Sequence, residues 1–166
     1  MEQAVFDLLR KIRAGQLHGG ALTGGALVKG AASDAGEIGH VVIDETGAAC
    51  SCGKSGCLET WISVPALTAR ITAEPAARSR LLAEAGHRLG LALAPIVGML
   101  GLQHIVIGGP EELVTGPFLD ACRGCVTDRT RSEFRPELHL EASSLGTDAV
   151  LLGAAALVLW RELGVA

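Results

Sequence analysis

Val5, Leu8, Leu9 and Ile12 recur at i, i+3, i+4 and i+7, which predicts a short amphipathic helix over residues 1–14, ended by Gly15. Residues 18–34, "HGGALTGGALVKGAASD", alternate small apolar residues with glycine pairs and predict a tight hairpin turning near Gly24 and Gly25. "HVVIDE" reads as a strand, and the polar, glycine-containing residues 46–57 read as a loop. From Leu58 the chain turns helical, with a break before Pro65. A long helix follows, with apolar positions at Leu81, Leu82, Ala85, Leu89, Leu91, Leu93 and Ile96, bent or interrupted around Pro95. "HIVIGG" predicts a buried strand running into a glycine turn, and residues 111–126 a helix. "ELHLEAS" predicts an alternating strand with Leu138 and Leu140 on one face, and "DAVLLGAAALVLWREL" a closing helix. Helices and strands in alternation imply an α/β fold, with helices packed on the faces of a sheet.

The length of 166 residues fits one compact domain. With only 3% aromatic residues, the core must be built from Ala, Val, Leu and Ile. The net charge is −4 and the 14 basic residues are scattered, so no Lys/Arg run is present to track a phosphate backbone, and direct nucleic-acid contact is not expected. No uninterrupted apolar window is long enough to span a bilayer, and the N-terminus lacks a signal-type apolar core, which together predict a cytoplasmic protein without membrane contact. In a reducing compartment five cysteines make a poor disulfide framework.

Three of those cysteines crowd positions 50–57. His40, Cys50, Cys52 and Cys57 form H-x9-C-x-C-x4-C, a donor set of the kind that closes a tetrahedral Cys3His structural zinc site. A site filled by four protein ligands leaves no position for a catalytic water, so the metal would tie down a loop with little hydrophobic reason to order. Gly53 and Gly56 fit tight turns between thiolates. Iron–sulfur ligation suits the histidine and the C-x-C spacing less well.

Glu37 precedes His40 by three residues and Glu59 follows Cys57 by two, so ligation at His40 and Cys57 would draw both carboxylates toward one place. There they could accept hydrogen bonds from a polyol, with the free ring nitrogen of His40 meeting a third hydroxyl. A helix-terminal glutamate and a solvated one is the equal alternative from chemistry alone.

"GEIGHVVID", the histidine–cysteine spacing and "GCLE" together closely resemble the signature of the ROK family of bacterial sugar kinases and sugar-responsive repressors. The resemblance continues through "HIVIGGPEELVTGPFLDA" and "SSLGTDAVLLGAAALVL" and covers about residues 20–165. It implies the C-terminal lobe of an actin-like ATPase (ribonuclease H-like) fold over residues 15–166, with an inserted zinc-binding loop at 40–59. It further implies structural zinc on His40, Cys50, Cys52 and Cys57, sugar contacts from Glu37, His40 and Glu59, and a nucleotide-cleft turn at Gly108 and Gly109.

The sequence also departs from the family. Members are roughly twice this length, and neither their D-x-G-G-T-K motif nor the N-D-x-N/A motif bearing the general base has a counterpart here. Where their second phosphate loop reads like G-T-G-x-G-G-G, this chain has "AGQLHGG", with only Gly19 and Gly20 in register, which makes ATP binding doubtful. The helix-turn-helix of repressor members is missing as well, although phrases such as "LLGAAALVLWRELGVA" look repressor-like. The expectation is a sugar-binding effector module without catalysis, acting as a homo-oligomer or with a partner supplying the missing lobe; the alternative is a truncated hexose kinase inactive alone. Cys122 and Cys125 in "CRGC" read as helix cysteines rather than a redox motif, and His87, His104 and His139 as structural or solvated.

Overall fold

The computed structural model describes residues 19–23, 26–28, 30–31, 35–114, 116–130, 138–145 and 148. The helix expected over 1–14 and nearly all of the closing helix lie outside them.

The hairpin forms as its composition suggests: β1 (Leu22–Thr23) pairs antiparallel with β2 (Ala26–Leu27). A 3-10 turn over Ile38–His40 then leads into the cysteine loop. Helix α1 (Glu59–Ile62) ends at Ser63, whose extended ψ of 146° breaks the path, and α2 (Val64–Ala73) restarts with Pro65 in its first turn, where proline costs no hydrogen bond. The 23-residue α3 (Arg78–Leu100) is about 34 Å long. Gly101, at φ 65°, closes it by donating its N–H to the carbonyl of Val97.

Strand β3 (His104–Ile107), helix α4 (Gly116–Arg129) and strand β4 (His139–Ala142) make a β-α-β unit, with His104 paired to His139 and Ile105 to Leu140 in parallel register. The result is mixed helix and strand with a helical layer on one face of the pair. The core runs from Leu58, Ile62 and Leu67 through Leu82, Ala85, Leu89 and Ala92 to Phe118, Cys122 and Leu140.

Close approach of α3 and α4 depends on two glycines. A Cβ at Gly86 would lie 2.0 Å from the carbonyl oxygen of Phe118, and one at Gly90 would lie 2.6 Å from Cβ of Cys125. Only a bare backbone at both positions lets the helices touch, which compensates for a core short of aromatic volume.

Four expectations need correction. "HVVIDE" is not a strand: it gives a 3-10 turn and a single bridge from Val42 to Cys57. Val41 and Val42 are 42% and 41% exposed, so among the described residues no sheet receives them, and the backbone bonds to the cysteine loop instead, through Ile43 N–H to Gly56 and Leu58 N–H to Val41. Of the bend or interruption expected at Pro95, the interruption does not occur: α3 runs on through it, because Pro95 faces solvent and the carbonyl it frees can turn toward water. β3 alternates rather than being buried, with Val106 60% exposed, since among the described residues helices cover only one face of the pair. Finally, the helix expected from residue 111 starts at Gly116. Pro110 to Val114 form a turn in which the Leu113 and Val114 N–H groups both donate to the Pro110 carbonyl, and Pro117 then starts the helix.

Among the described residues no helix is long and apolar enough to cross a membrane.

Candidate functional site

The backbone builds the cysteine loop before any metal is considered. The Cys50 N–H donates to the Lys54 carbonyl, the Gly53 N–H to Cys50, and the Gly56 N–H to Ala48, while Ala49 and Ser55 bridge. Asp44 begins the loop by accepting from the backbone N–H and hydroxyl of Thr46, which hold its carboxyl below the usual range. Gly56 is the tightest point: it sits at φ 70°, and a Cβ there would fall 1.5 Å from the Asp44 carbonyl oxygen. No other residue fits.

This path brings the four predicted ligands together. One donor atom from each of His40, Cys50, Cys52 and Cys57 lies within 4.8 Å of every other. Nδ1 of His40 is 3.6 Å from Sγ of Cys50, and Sγ of Cys52 is 3.6 Å from Sγ of Cys57. A tetrahedral zinc with Zn–S of about 2.3 Å and Zn–N of about 2.1 Å needs S···S edges of about 3.8 Å and S···N edges of about 3.6 Å. Both measured pairs meet that spacing, and the widest separation would close by at most about 1 Å. The donor set fits zinc in chemistry and in size.

The thiols stand in different surroundings. Cys57 is fully buried, and burial, followed by the neighbouring Cys52 and Cys50, pushes its thiol up to about 12. Cys52 is exposed, and the backbone N–H of Lys54 draws its thiol below the ordinary value. A cation at the centre would reverse the penalty on Cys57 by replacing its proton.

His40 joins the loop to Glu37. With Nδ1 turned to Cys50, its Nε2 lies 4.0 Å from Oε2 of Glu37, too long for a direct hydrogen bond and short enough for one hydroxyl to bridge. Both side chains are partly exposed, at 26% and 34%. Glu59 is the first residue of α1, two positions past Cys57, and half-buried.

The predicted glycine turn follows β3. Gly108 and Gly109 line an apolar cleft of about 480 Å³ with Ile62, Pro65, Leu89 and Phe118. Among the described residues, no charged side chain lines it. Gly19, which the phosphate-loop comparison left in register, spends its N–H on the Gly36 carbonyl at 2.8 Å. Cys122 and Cys125 are buried between α3 and α4, and burial pushes the Cys122 thiol up to about 12. His104 and His139 stack across the strand pair, with ring centroids 4.9 Å apart.

One feature escapes sequence reasoning. Trp61 of α1 carries two guanidinium groups against its ring, Arg70 of α2 at 4.2 Å and Arg88 of α3 at 3.6 Å from the centroid. Arg70 also donates to the carbonyls of Thr60 and Ala66, which ties α1 to α2. The signal available was a lone tryptophan one turn beyond the last cysteine, with no mark of what would meet it.

Among curated relatives, the chain is 28% identical over 160 residues to the xylose repressor of Caldicellulosiruptor bescii, covering 78% of this chain and 40% of that protein. It is also 28% identical over 155 residues to the DNA-binding transcriptional dual regulator NagC of Escherichia coli K12, covering 78% and 38%. Its fold matches that of a ROK family transcriptional regulator homologous to the E. coli MLC protein, with a TM-score of 0.74, 22% identity and coverage of 94% of this chain and 50% of that one. A ROK family glucokinase from Streptomyces griseus in complex with glucose and AMPPNP gives a TM-score of 0.68 at 26% identity, covering 84% and 56%. The chain thus spans about 40% of the length of the curated relatives it matches. The family model matches residues 15–161, and the chain belongs to the ROK family.

Proposed function

We propose that this ROK-family chain is a sugar-binding effector module of the repressor type, in which a structural zinc on His40, Cys50, Cys52 and Cys57 shapes the pocket. The observation that carries the reading is the double placement of His40, one ring nitrogen against Cys50 and the other 4.0 Å from Glu37. His40 would hold zinc through Nδ1, and its ring proton would then stand on Nε2, which donates. A sugar hydroxyl between them accepts from Nε2 and donates to the Glu37 carboxylate, and Glu59, two residues past Cys57, takes a further hydroxyl. On the same reading residues 15–166 belong to a C-terminal actin-like lobe, with the zinc loop at 40–59.

The xylose and N-acetylglucosamine repressors among the relatives direct the choice of ligands. Calorimetry on zinc-loaded protein with xylose, glucose, N-acetylglucosamine and its 6-phosphate should give saturable heat with at least one. Glu37→Gln and Glu59→Gln should each weaken it about tenfold, as loss of a charged hydrogen bond implies. No heat from any of the four refutes the reading.

A second reading, the sugar-binding half of an ATP-dependent kinase, is favoured by the likeness to the glucokinase bound to glucose and AMPPNP. Against it stand the cleft beside Gly108 and Gly109, uncharged among the described residues, and the engaged N–H of Gly19. Glucose-dependent release of ADP by the chain would decide in its favour.

A further inference from the structure

The cysteine loop holds its three sulfurs at very different depths. Cys57 is 0% exposed and Cys50 9%, and Cys50 faces the His40 ring, whereas Cys52 stands in solvent at the outer corner of the cluster. The sulfur of Cys52 is 3.6 Å from that of Cys57, across a loop of only four intervening residues. That is within about 1.5 Å of a disulfide bond length. From this difference in depth and this separation, we propose that Cys52 is a modification site for hydroperoxides, and that its oxidation converts the metal loop into a Cys52–Cys57 disulfide and expels the metal.

The chemistry balances with hydrogen peroxide as the oxidant. The Cys52 thiolate attacks one peroxide oxygen, the O–O bond breaks, and sulfenic acid forms with departure of hydroxide. The Cys57 thiolate then attacks the Cys52 sulfur, the S–O bond breaks, and a second hydroxide leaves. Two electrons pass from the sulfurs to the peroxide. His40 and Cys50 alone remain as ligands, too few to hold zinc against a chelator.

Regiochemistry follows from the same geometry. A Cys50–Cys52 bridge would close a small, strained C-x-C ring, and Cys50 is shielded beside His40. Cys122 and Cys125 are buried in the helix interface, out of reach of an aqueous oxidant. The outcome also reaches α1: closing the bridge pulls Cys57 toward Cys52, and Leu58 and Glu59 follow it. On the sugar-binding reading, which this last step alone rests on, oxidation releases the effector.

The test uses the zinc-loaded chain, treated with hydrogen peroxide in the presence of a chromogenic zinc chelator, with peptide mapping of the products. One zinc per chain should appear in step with a Cys52–Cys57 disulfide, and thiol reductant with added zinc should restore the starting state. Cys52→His, which replaces the exposed sulfur with an unoxidisable ligand and keeps four donors, should slow release by about tenfold or more. A Cys50–Cys52 or Cys122–Cys125 bridge as the main product, oxidation with zinc retained, or release from Cys52→His at the wild-type rate would each overturn the proposal. Failure to load zinc at all would instead refute the metal reading. Loss of peroxide-dependent sugar release alone would refute only the coupling to the sugar site.

Discussion

The two loop glycines offer a matched pair of perturbations. Gly53 and Gly56 both lie at positive φ, 90° and 70°, so alanine at either must be held in a region that costs an L-residue about 1–2 kcal/mol. Their surroundings differ. A Cβ at Gly53 meets nothing within 4 Å, while at Gly56 it would overlap the Asp44 carbonyl oxygen at 1.5 Å. That oxygen is backbone, held by the Gly47 N–H at 2.9 Å, and cannot swing aside as a side chain would. Relieving it means pushing the two arms of the loop apart, a further cost of about 1–3 kcal/mol on the scale of overpacked interiors. Since metal binding requires the closed loop, these costs appear as lost affinity at about tenfold per 1.4 kcal/mol. Gly53→Ala should weaken zinc binding about five- to thirtyfold, and Gly56→Ala about thirtyfold to several thousandfold. Competition against a chromophoric chelator under reducing conditions measures both, with circular dichroism to check that the helices are retained. Equal losses for the two variants, or a larger loss for Gly53→Ala, would refute the reasoning.

Other outcomes follow from the same structure. Thiol titration of the metal-free native protein should show Cys52 reacting first and Cys122 and Cys125 last, only on unfolding, because both are buried between α3 and α4 and burial raises their thiols. Prompt modification of either would contradict the helix packing. Gly86→Ala should destabilise the fold by about 1–3 kcal/mol and lower Tm by several degrees, since its Cβ meets the Phe118 backbone; an unchanged melt would sink the close-approach argument. Zinc affinity should rise with pH across the neutral and mildly alkaline range, because Cys57, whose thiol stands at about 12 without metal, must give up its proton to bind; a flat profile from pH 6 to 9 would count against Cys57 as a ligand. Arg88→Ala should cost about 0.5–1 kcal/mol and alter the emission of Trp61 in a Trp160→Phe background, with no change expected if the guanidinium does not stack on the ring.

The metal loop was legible because its chemistry is written in residue types at short separations. Candidate ligands, turn glycines and the flanking glutamates all fall between positions 37 and 59, and local backbone geometry carries His40, Cys50, Cys52 and Cys57 to one place. Long helices were legible for a related reason, their apolar period over many turns. The strand expected at "HVVIDE" failed because three consecutive β-branched residues signal a strand only where a sheet receives them, and here the cysteine loop claims the backbone while the valines face solvent. Trp61 with Arg70 and Arg88 was invisible for the opposite reason. Its partners lie nine and twenty-seven positions on, and only the crossing of α1, α2 and α3 brings them to one ring. Gly86 and Gly90 read as weak helix residues until α4 is seen lying against them.

The span of the metal cluster bears on the order in which the chain acquires structure. Its four ligands need closure of no more than 17 residues, from His40 to Cys57, whereas β3 must find β4 across the whole length of α4. Loop closure on the shorter scale takes tens to hundreds of nanoseconds and forfeits less chain entropy. A nascent polypeptide extended only as far as Cys57 already holds all four proposed ligands, so on the zinc-binding reading metal can be captured while α3 and the strand pair are still unmade. On the zinc-binding reading, metal supplied during synthesis, rather than by exchange into the finished protein, would set how much of the protein matures with an ordered loop.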